Sequence, residues 1–401
     1  MAHRLKLAII GDPHIAVPRG NDDPYLEADP GRKLHGLSTE LLRATIEQVN
    51  AVGDLDLALV MGDLTRDSEE FNHAVARELL STLAMPYYIV VGNHDFKRKR
   101  PEGTGYPDAH RLDRDEMTDW YYDRGLPNGM TRYVVELPGD VVLTVLNSNR
   151  TMHELAADDA DLSRQDDGLI GEDQLAWLEG VLQQIVNGGR VPLIAVHHSV
   201  TDHSPAEEEG HMLHRVFRFW QVKDGRAFRE LAAKYRVPLV LSGHLHAQSI
   251  STEDGVTNLV TAASVSYPHA WRLLTFTDDA VEVESRRIES IPSCTNLQEQ
   301  SRQWLGEGMG QLIEDKSAAV PMASGFAREL REFITRTGWW PSFCDGTQAQ
   351  FAVSEEDIPQ NNPVMRMVFS QVAKKLNEFG TWKAARPDPN NLSIPLTPPG
   401  D

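Results

Sequence analysis

Five short stretches of this chain concentrate the side chains that hold metal ions: Asp12-Pro13-His14, Gly62-Asp63, Gly92-Asn93-His94-Asp95, His197-His198-Ser199 and Gly243-His244-Leu245-His246. Carboxylate, imidazole and amide oxygen together suit a divalent first-row ion. Taken one at a time these groups mean little. With 15 His in 401 residues, an isolated Asp-x-His or His-x-His pair is an ordinary surface occurrence. Gly-Asp after a strand is normally a turn whose Asp caps the next helix, and Gly-Asn-His-Asp has an ordinary reading as an Asx turn. Their common position defeats these readings, because each group directly follows a run of apolar residues.

The runs are Leu5 to Ile10, Leu55 to Met61, Tyr87 to Val91, Val191 to Val196 and Val237 to Ser242. Short continuous runs of Val, Ile and Leu, most of them closed by Gly, predict buried strands of an α/β sheet. Ligands of such sheets collect outside the carboxyl ends of the strands. Five ligand-bearing turns at five strand ends can therefore converge on one spot, and an adjacent Gly lets backbone approach closely.

In this order the blocks Asp-x-His, Gly-Asp, Gly-Asn-His-Asp, a further His, and Gly-His-x-His resemble the signature of the calcineurin-like metallophosphoesterases, over roughly residues 5 to 290. The resemblance implies two β-sheets packed as a sandwich and flanked by helices, a four-layer αββα arrangement, with a two-metal centre at the strand ends. Carried over block by block, it assigns Asp12, His14 and His246 to one ion, and Asn93, His197 and His244 to the other. Asp63 bridges them. A carboxylate suits that task, because its two oxygens can span ions about 3.5 to 4 Å apart. His197 is preferred as the ligand because it comes first after its strand, with His198 as the alternative. His94 is left for catalysis, stabilising the transition state or protonating the leaving oxygen; its bland alternative is a hydrogen bond to a ligand. Two divalent ions acidify a bridging water, and the resulting hydroxide attacks phosphorus in line. The donor set accommodates Mn, Fe, Zn or Co without choosing among them.

Composition narrows the partners. A net charge of −20 argues against nonspecific binding to nucleic acid or to an anionic membrane, so the expected partner is a small phosphate ester attracted by the metals alone. Cys294 and Cys344 form no redox or zinc-ribbon pattern and are expected to be free thiols. No apolar stretch approaches the roughly 20 residues of a membrane helix, and the first strand begins almost at once, with no leader pattern. The expected location is cytoplasmic.

Along the chain, Ser38 and Thr39 are placed to cap a helix with Leu42, Ile46 and Val49 on one face, and a second helix is expected within Asp67 to Leu83. Residues 96 to 130 form an insertion rich in charge, Gly, Pro and Tyr, of a length that in compact domains is usually functional or mobile. Its basic run Lys97-Arg98-Lys99-Arg100 reads as solvated, with capture of an anionic substrate as the alternative. Residues 141 to 146 form a further strand, Asp158 to Asp167 an acidic loop, and a helix begins near Gly171. His203, His211 and His214 follow the ligand His197 and are candidates for a rim or lid that contacts substrate.

The expected organisation is a phosphoesterase domain over 1–290 and a mainly helical extension over 291–401. Within the extension, Val364, Val368, Val372, Leu376 and Phe379, with Met367 beside them, make a helical stripe. Trp339-Trp340-Pro341 and the Pro-rich stretch 387–399 read as a covering arm. The extension is a candidate cap, homo-oligomer arm or completion of the fold.

Two comparisons within the family refine the reading. Purple acid phosphatases carry a Tyr ligand three residues after the bridging Asp, where this chain has Arg66. Gly-Asp-Leu-Thr, Gly-Asn-His-Asp and the segment Gly168 to Leu178 resemble bacterial cyclic-nucleotide and glycerophosphodiester phosphodiesterases. Ser199 stands where the family has Pro. The expectation is a hydrolase of small phosphodiesters, with a phosphomonoesterase as the enzymatic alternative and a metal-binding scaffold as the non-enzymatic one.

Overall fold

A computed structural model describes residues 5–20, 23, 26, 32–97, 106, 108–126, 129–149, 167–203, 221–318, 324–346, 352–358 and 363–396. Two six-stranded mixed sheets pack face to face. In the first, the strands β1 (Leu5–Ile10), β2 (Leu57–Val60), β3 (Tyr87–Ile89), β10 (Ala270–Phe276), β11 (Ala280–Arg287) and β12 (Asn391–Pro395) lie in the order β12-β11-β10-β1-β2-β3. The second contains β4 (Tyr133–Glu136), β5 (Val141–Leu146), β6 (Val191–Val196), β7 (Leu239–Ser242), β8 (Ser249–Glu253) and β9 (Val256–Val260), ordered β4-β5-β6-β7-β9-β8.

The period-two alternation of strands builds the layers. In β5, Val141, Leu143 and Val145 point into the core shared with the first sheet, whereas Val142 and Leu146 point to a separate core under the helices. Likewise β6 sends Leu193 and Ala195 inward and Ile194 and Val196 outward. That is why these strands read as continuous apolar runs. The helices α1 (Ser38–Asn50) and α2 (Glu70–Leu80) cover the outer face of the first sheet with Leu41, Leu42, Ile46, Val49, Leu79 and Leu80. The outer face of the second is covered by α4 (Glu172–Asn187) and α5 (Gly225–Lys234), through Leu178, Leu182, Ile185, Phe228 and Ala232. Four layers result, αββα, as the resemblance implied. A short helix, α3 (Arg114–Trp120), follows α2 within the 96–130 segment.

Ser38 does not cap α1. Its hydroxyl donates to the His35 carbonyl (2.8 Å) and accepts from the Ala16 amide (3.0 Å). The tertiary partner outcompetes the local one, and the residue anchors the chain just beyond His14.

Past residue 290 the chain forms α6 (Leu297–Ala318), α7 (Ser324–Thr337), α8 (Trp339–Cys344) and α9 (Pro363–Ala384) before β12. These helices enclose a core of their own that takes in Leu245, Ala247, Val260 and Tyr267. The buried stripe of α9 is rotated from the expected one: Phe369, Ala373, Leu376 and Phe379 are buried and Met367 is 62% exposed. Aromatic partners set this rotation, since Phe369 lies 5.0 Å from Phe333 and Phe379 lies 5.9 Å from Trp339, centroid to centroid. β12 then pairs antiparallel with β11, from Ala280↔Pro395 to Glu284↔Asn391. Cys294 and Cys344 are buried free thiols. Among the described residues no helix is long and apolar enough to cross a membrane.

Arg272 on β10 is fully buried where these parts meet. Its guanidinium donates to Val260 O (2.8 Å), Ser285 Oγ (2.9 Å) and Pro389 O. Burial pushes its pKa down to about 9, still leaving it charged at neutral pH. Arg272→Leu removes the donor to three acceptors and is expected to destabilise the fold by about 3 kcal/mol, read as a lower urea midpoint at unchanged slope.

Candidate metal centre

The five turns meet where the carboxyl ends of β1, β2 and β3 face those of β6 and β7. β1, β2 and β3 are mutually parallel, as are β6 and β7, so their exits share one edge in each sheet. Backbone bonds join the exits: His14 N–H to Asp63 O (2.8 Å), Gly243 N–H to His197 O (3.0 Å) and Ser264 N–H to Gly11 O (2.8 Å). Asp12, His14, Asp63, His244 and His246 all have positive φ, between 26° and 63°. Asp and His are among the residue types that visit this region more readily, yet each such position costs on the order of 1–3 kcal/mol. The turns are thus strained at the residues that carry the chemistry. Gly92 makes the closest approach possible, because a Cβ there would lie 2.3 Å from Asp63 N and Oδ1.

The donor atoms form two groups that share one carboxylate. His14 Nε2 lies 3.1 Å from His246 Nε2 and 3.4 Å from Asp63 Oδ2, and Asp12 Oδ2 is 3.7 Å from His246 Nε2. On the other side, His197 Nε2 lies 3.5 Å from Asp63 Oδ2, 3.1 Å from Asn93 Oδ1 and 3.2 Å from His244 Nδ1. All eight residues singled out in the sequence come together here, His94 included: its amide donates to Asp63 Oδ1 (2.8 Å) and its ring meets His14 edge-on at 4.8 Å. His198 turns away. Its Nδ1 pairs with Ser148 Oγ at 2.7 Å while its ring packs against His244 at 4.2 Å.

Partners behind the site aim these rings. His197 Nδ1 donates to the Met61 carbonyl (2.7 Å), which leaves Nε2 with its lone pair toward the centre in the neutral form. The Ser266 hydroxyl donates to the Arg32 carbonyl (2.5 Å), so its oxygen can only accept from His246 Nδ1 (3.3 Å), and Nε2 again faces inward as a lone pair. Asp95 receives the amides of Leu64 (2.6 Å) and Gly92 (2.7 Å), clamping the turn after β2 to the turn after β3. Asp95 was visible in its motif, but nothing local assigned it this role. No sequence signal pointed to Ser266, Ser148 or Met61 O, because each acts from a distant part of the chain.

The electrostatics call for positive charge. Burial raises Asp63, but His197, His94 and His14 outweigh it and hold its carboxyl well below the usual range. Burial lowers His197, yet the Asp63 and Asp12 carboxylates drive its pKa up to about 9. Burial is also the chief cause that lowers His14, His244 and His246 well below an ordinary imidazole, which suits neutral nitrogen donors. Asp12 Oδ1 is buried and accepts no hydrogen bond among the described residues. Converging lone pairs, an unsatisfied carboxylate oxygen and a shared carboxylate are the environment that a pair of divalent cations satisfies.

Other sequence candidates lie elsewhere. His203 is 2% exposed, bonded to Ser249 Oγ (2.8 Å) and near Asn258 Oδ1 (3.4 Å), so it belongs to a buried network and not to a rim. Ser199 joins that network through Asn258 Oδ1 (2.7 Å) and Thr201 O (2.9 Å), which anchors the turn where the family has Pro. His211, His214, Arg98, Lys99, Arg100 and residues 158–166 lie outside the described residues. Gly92→Ala forces the Asp63 carboxylate to move, and is expected to lower bound metal by more than half while the melting temperature changes by only a few degrees; metal analysis and calorimetry on the same sample check this.

The chain matches the family model described as calcineurin-like phosphoesterase over residues 5–248. It is 21% identical over 246 residues, 60% of this chain and 83% of the relative, to a Xenorhabdus bovienii protein named probable cyclic nucleotide phosphodiesterase. An Arcobacter nitrofigilis protein named probable glycerophosphodiester phosphodiesterase is 25% identical over 214 residues, 53% of this chain and 64% of its own length. Among solved structures, a dimetal phosphatase from Danio rerio shares the fold with a TM-score of 0.53 at 15% identity, covering 71% of this chain and 97% of that one. The family match takes in more than half of the sequence and all five ligand-bearing turns, and the protein belongs to the calcineurin-like phosphoesterases, hydrolases of phosphate esters that work with a dinuclear divalent metal centre.

Proposed function

We propose that this protein hydrolyses a small phosphodiester of the cyclic-nucleotide or glycerophosphodiester type. The observation that carries the reading is Asp63 Oδ2, placed within 3.4 and 3.5 Å of imidazoles from two separate donor groups. Asp12, His14 and His246 would hold one ion, Asn93, His197 and His244 the other, and Asp63 both. Bound there, the ions supply Lewis acidity, polarising phosphoryl oxygens and making a water-derived nucleophile available near neutral pH. Asn93 contributes only a neutral oxygen, so its side of the centre keeps more net positive charge.

His94 manages the leaving group. Its Nδ1 donates to the Arg66 carbonyl (2.6 Å), which turns Nε2 to the opposite side of the ring. A proton on Nε2 is the one this residue can pass to the departing oxygen. The diester preference rests on the names carried by the two relatives. The net charge of −20 favours a small substrate over a nucleic-acid polymer, since long polyanions are repelled while one phosphate responds to the local field.

The test is hydrolysis of bis-p-nitrophenyl phosphate beside p-nitrophenyl phosphate by protein reconstituted with Mn, Fe, Zn or Co. Faster metal-dependent cleavage of the diester is expected, and faster cleavage of the monoester moves the assignment to phosphatase. Asp63→Ala is expected to lose metal and activity together. His94→Ala should keep both ions by metal analysis while kcat falls by about 100-fold, the low end for a lost acid or base; unchanged kcat removes His94 from the mechanism.

A further inference from the structure

The end of α9 and the proline-containing stretch after it enclose a small pocket against the second sheet. It measures about 30 Å³, is partly open to solvent, and lies between α9, the loop after α8 and the start of β8. Gly346 and Pro389 close one wall. A Cβ on Gly346, whose φ is 68°, would lie 2.7 Å from Gln248 O and 2.9 Å from the Pro389 ring. Packing that tight makes the pocket a built feature of the junction between the C-terminal helices and the sheet.

Two cations, Lys383 and Arg386, line the pocket, and no carboxylate does. They are three residues apart, one helical turn, so like charges share one face. Arg386 N–H donates to Lys383 O at 3.1 Å, which keeps that turn wound past the end of α9. The Arg386 guanidinium lies over the Trp382 ring, 4.0 Å from its centroid, and its Nη1 donates to Ser251 Oγ at 3.2 Å. Stacking and that bond fix the plane of a group whose fork suits oxyanions.

Lys383 adds a demand for negative charge. Its side chain is 12% exposed, and its ammonium nitrogen is buried without a hydrogen bond among the described residues. Its ion-pair partner, Asp345 Oδ1, is 3.7 Å away, too far for such a bond. The other oxygen of Asp345 accepts from Arg302 Nη1 (3.0 Å) and Tyr267 OH (3.1 Å), so one carboxylate serves two cations. Burial pushes the Lys383 pKa down, Asp345 pulls it up, and Arg302 adds to the lowering. A helix C-terminus favours cations, yet no carbonyl among the described residues accepts from this ammonium. An anion beside it would supply both charge and acceptors for its three donors.

We propose that this pocket binds a small oxyanion, of the size of phosphate or sulfate, through Arg386 and Lys383. Its volume admits about two or three water-sized groups and excludes a nucleoside. The site is separate from the metal centre and does not depend on which ester is hydrolysed there. The bound anion joins α9 to β8, and the stretch from Pro387 covers it. It also lies beside the segment that carries His246, since Gln248 lines the pocket and its amide donates to Cys344 O at 2.8 Å.

Isothermal titration of inorganic phosphate into the metal-loaded protein, at constant ionic strength in chloride, tests the site. Wild type is expected to show a phosphate site that Arg386→Gln and Lys383→Met each weaken by about tenfold or more, the loss of one charged contact. Bound metal should stay at the wild-type level in both, which shows the metal centre intact. Arg386→Lys keeps the charge but loses the fork and the stacked plane. It is expected to bind with intermediate affinity, and with Lys383→Met it serves as the test if Arg386→Gln does not fold. Sulfate should compete for the site that these variants weaken. Equal phosphate stoichiometry and affinity in wild type and variants overturns the proposal, as does a wild type that binds phosphate only at its metals.

Discussion

Asp12, Asp63 and four imidazoles are buried within a few ångströms of one another at the seam between two sheets, and the surrounding structure exists to keep them there. Such a cluster repels itself unless positive charge lies within it. His197 registers that demand by being pushed up to about 9, and Asp63 by being held well below the usual carboxylate range. Two divalent ions answer the same demand in the working enzyme. The five left-handed residues follow from this constraint, since donors from adjacent strands can point at one spot only if the chain turns back sharply beyond each strand end.

Strain of that kind persists only where neighbours over-determine it. Asp95 clamps two of the turns, Ser266 holds His246 through the Arg32 carbonyl, and the Met61 carbonyl fixes His197. Beyond residue 290 the chain adds a further brace. Asp345 accepts from Arg302 (3.0 Å) and from Tyr267 OH (3.1 Å), and the Gln248 amide donates to Cys344 O (2.8 Å), two residues past His246. The C-terminal helices therefore bear directly on the segments beside His246, and β12 completes an edge of the first sheet.

Much of this was legible in the residues. The strands β1, β5 and β6 occupy the stretches their apolar runs marked, because burial on both faces demands an unbroken run. The three other ligand strands, β2, β3 and β7, are shorter than their runs. What misled were residues that take a partner far away in sequence. Ser38 had the form of a helix cap but bonds to Ala16. His203 sat six positions beyond a ligand but is buried against β8 and β9. The face of α9 was rotated by Phe333 and Trp339, which no periodicity within α9 reveals.

The sequence by itself determined the family and the sandwich, because ligand-type residues at successive strand ends are local properties written in contiguous residues. Only the tertiary structure decided that His197 faces the donors while His198 pairs with Ser148, that Asp63 is the shared carboxylate by distance, and that Asp67 and Arg111 stand behind His94. Orientation of a ring and pairing of a buried charge depend on groups brought together from segments 27 to 134 residues apart, and a linear pattern carries no record of which of them meet.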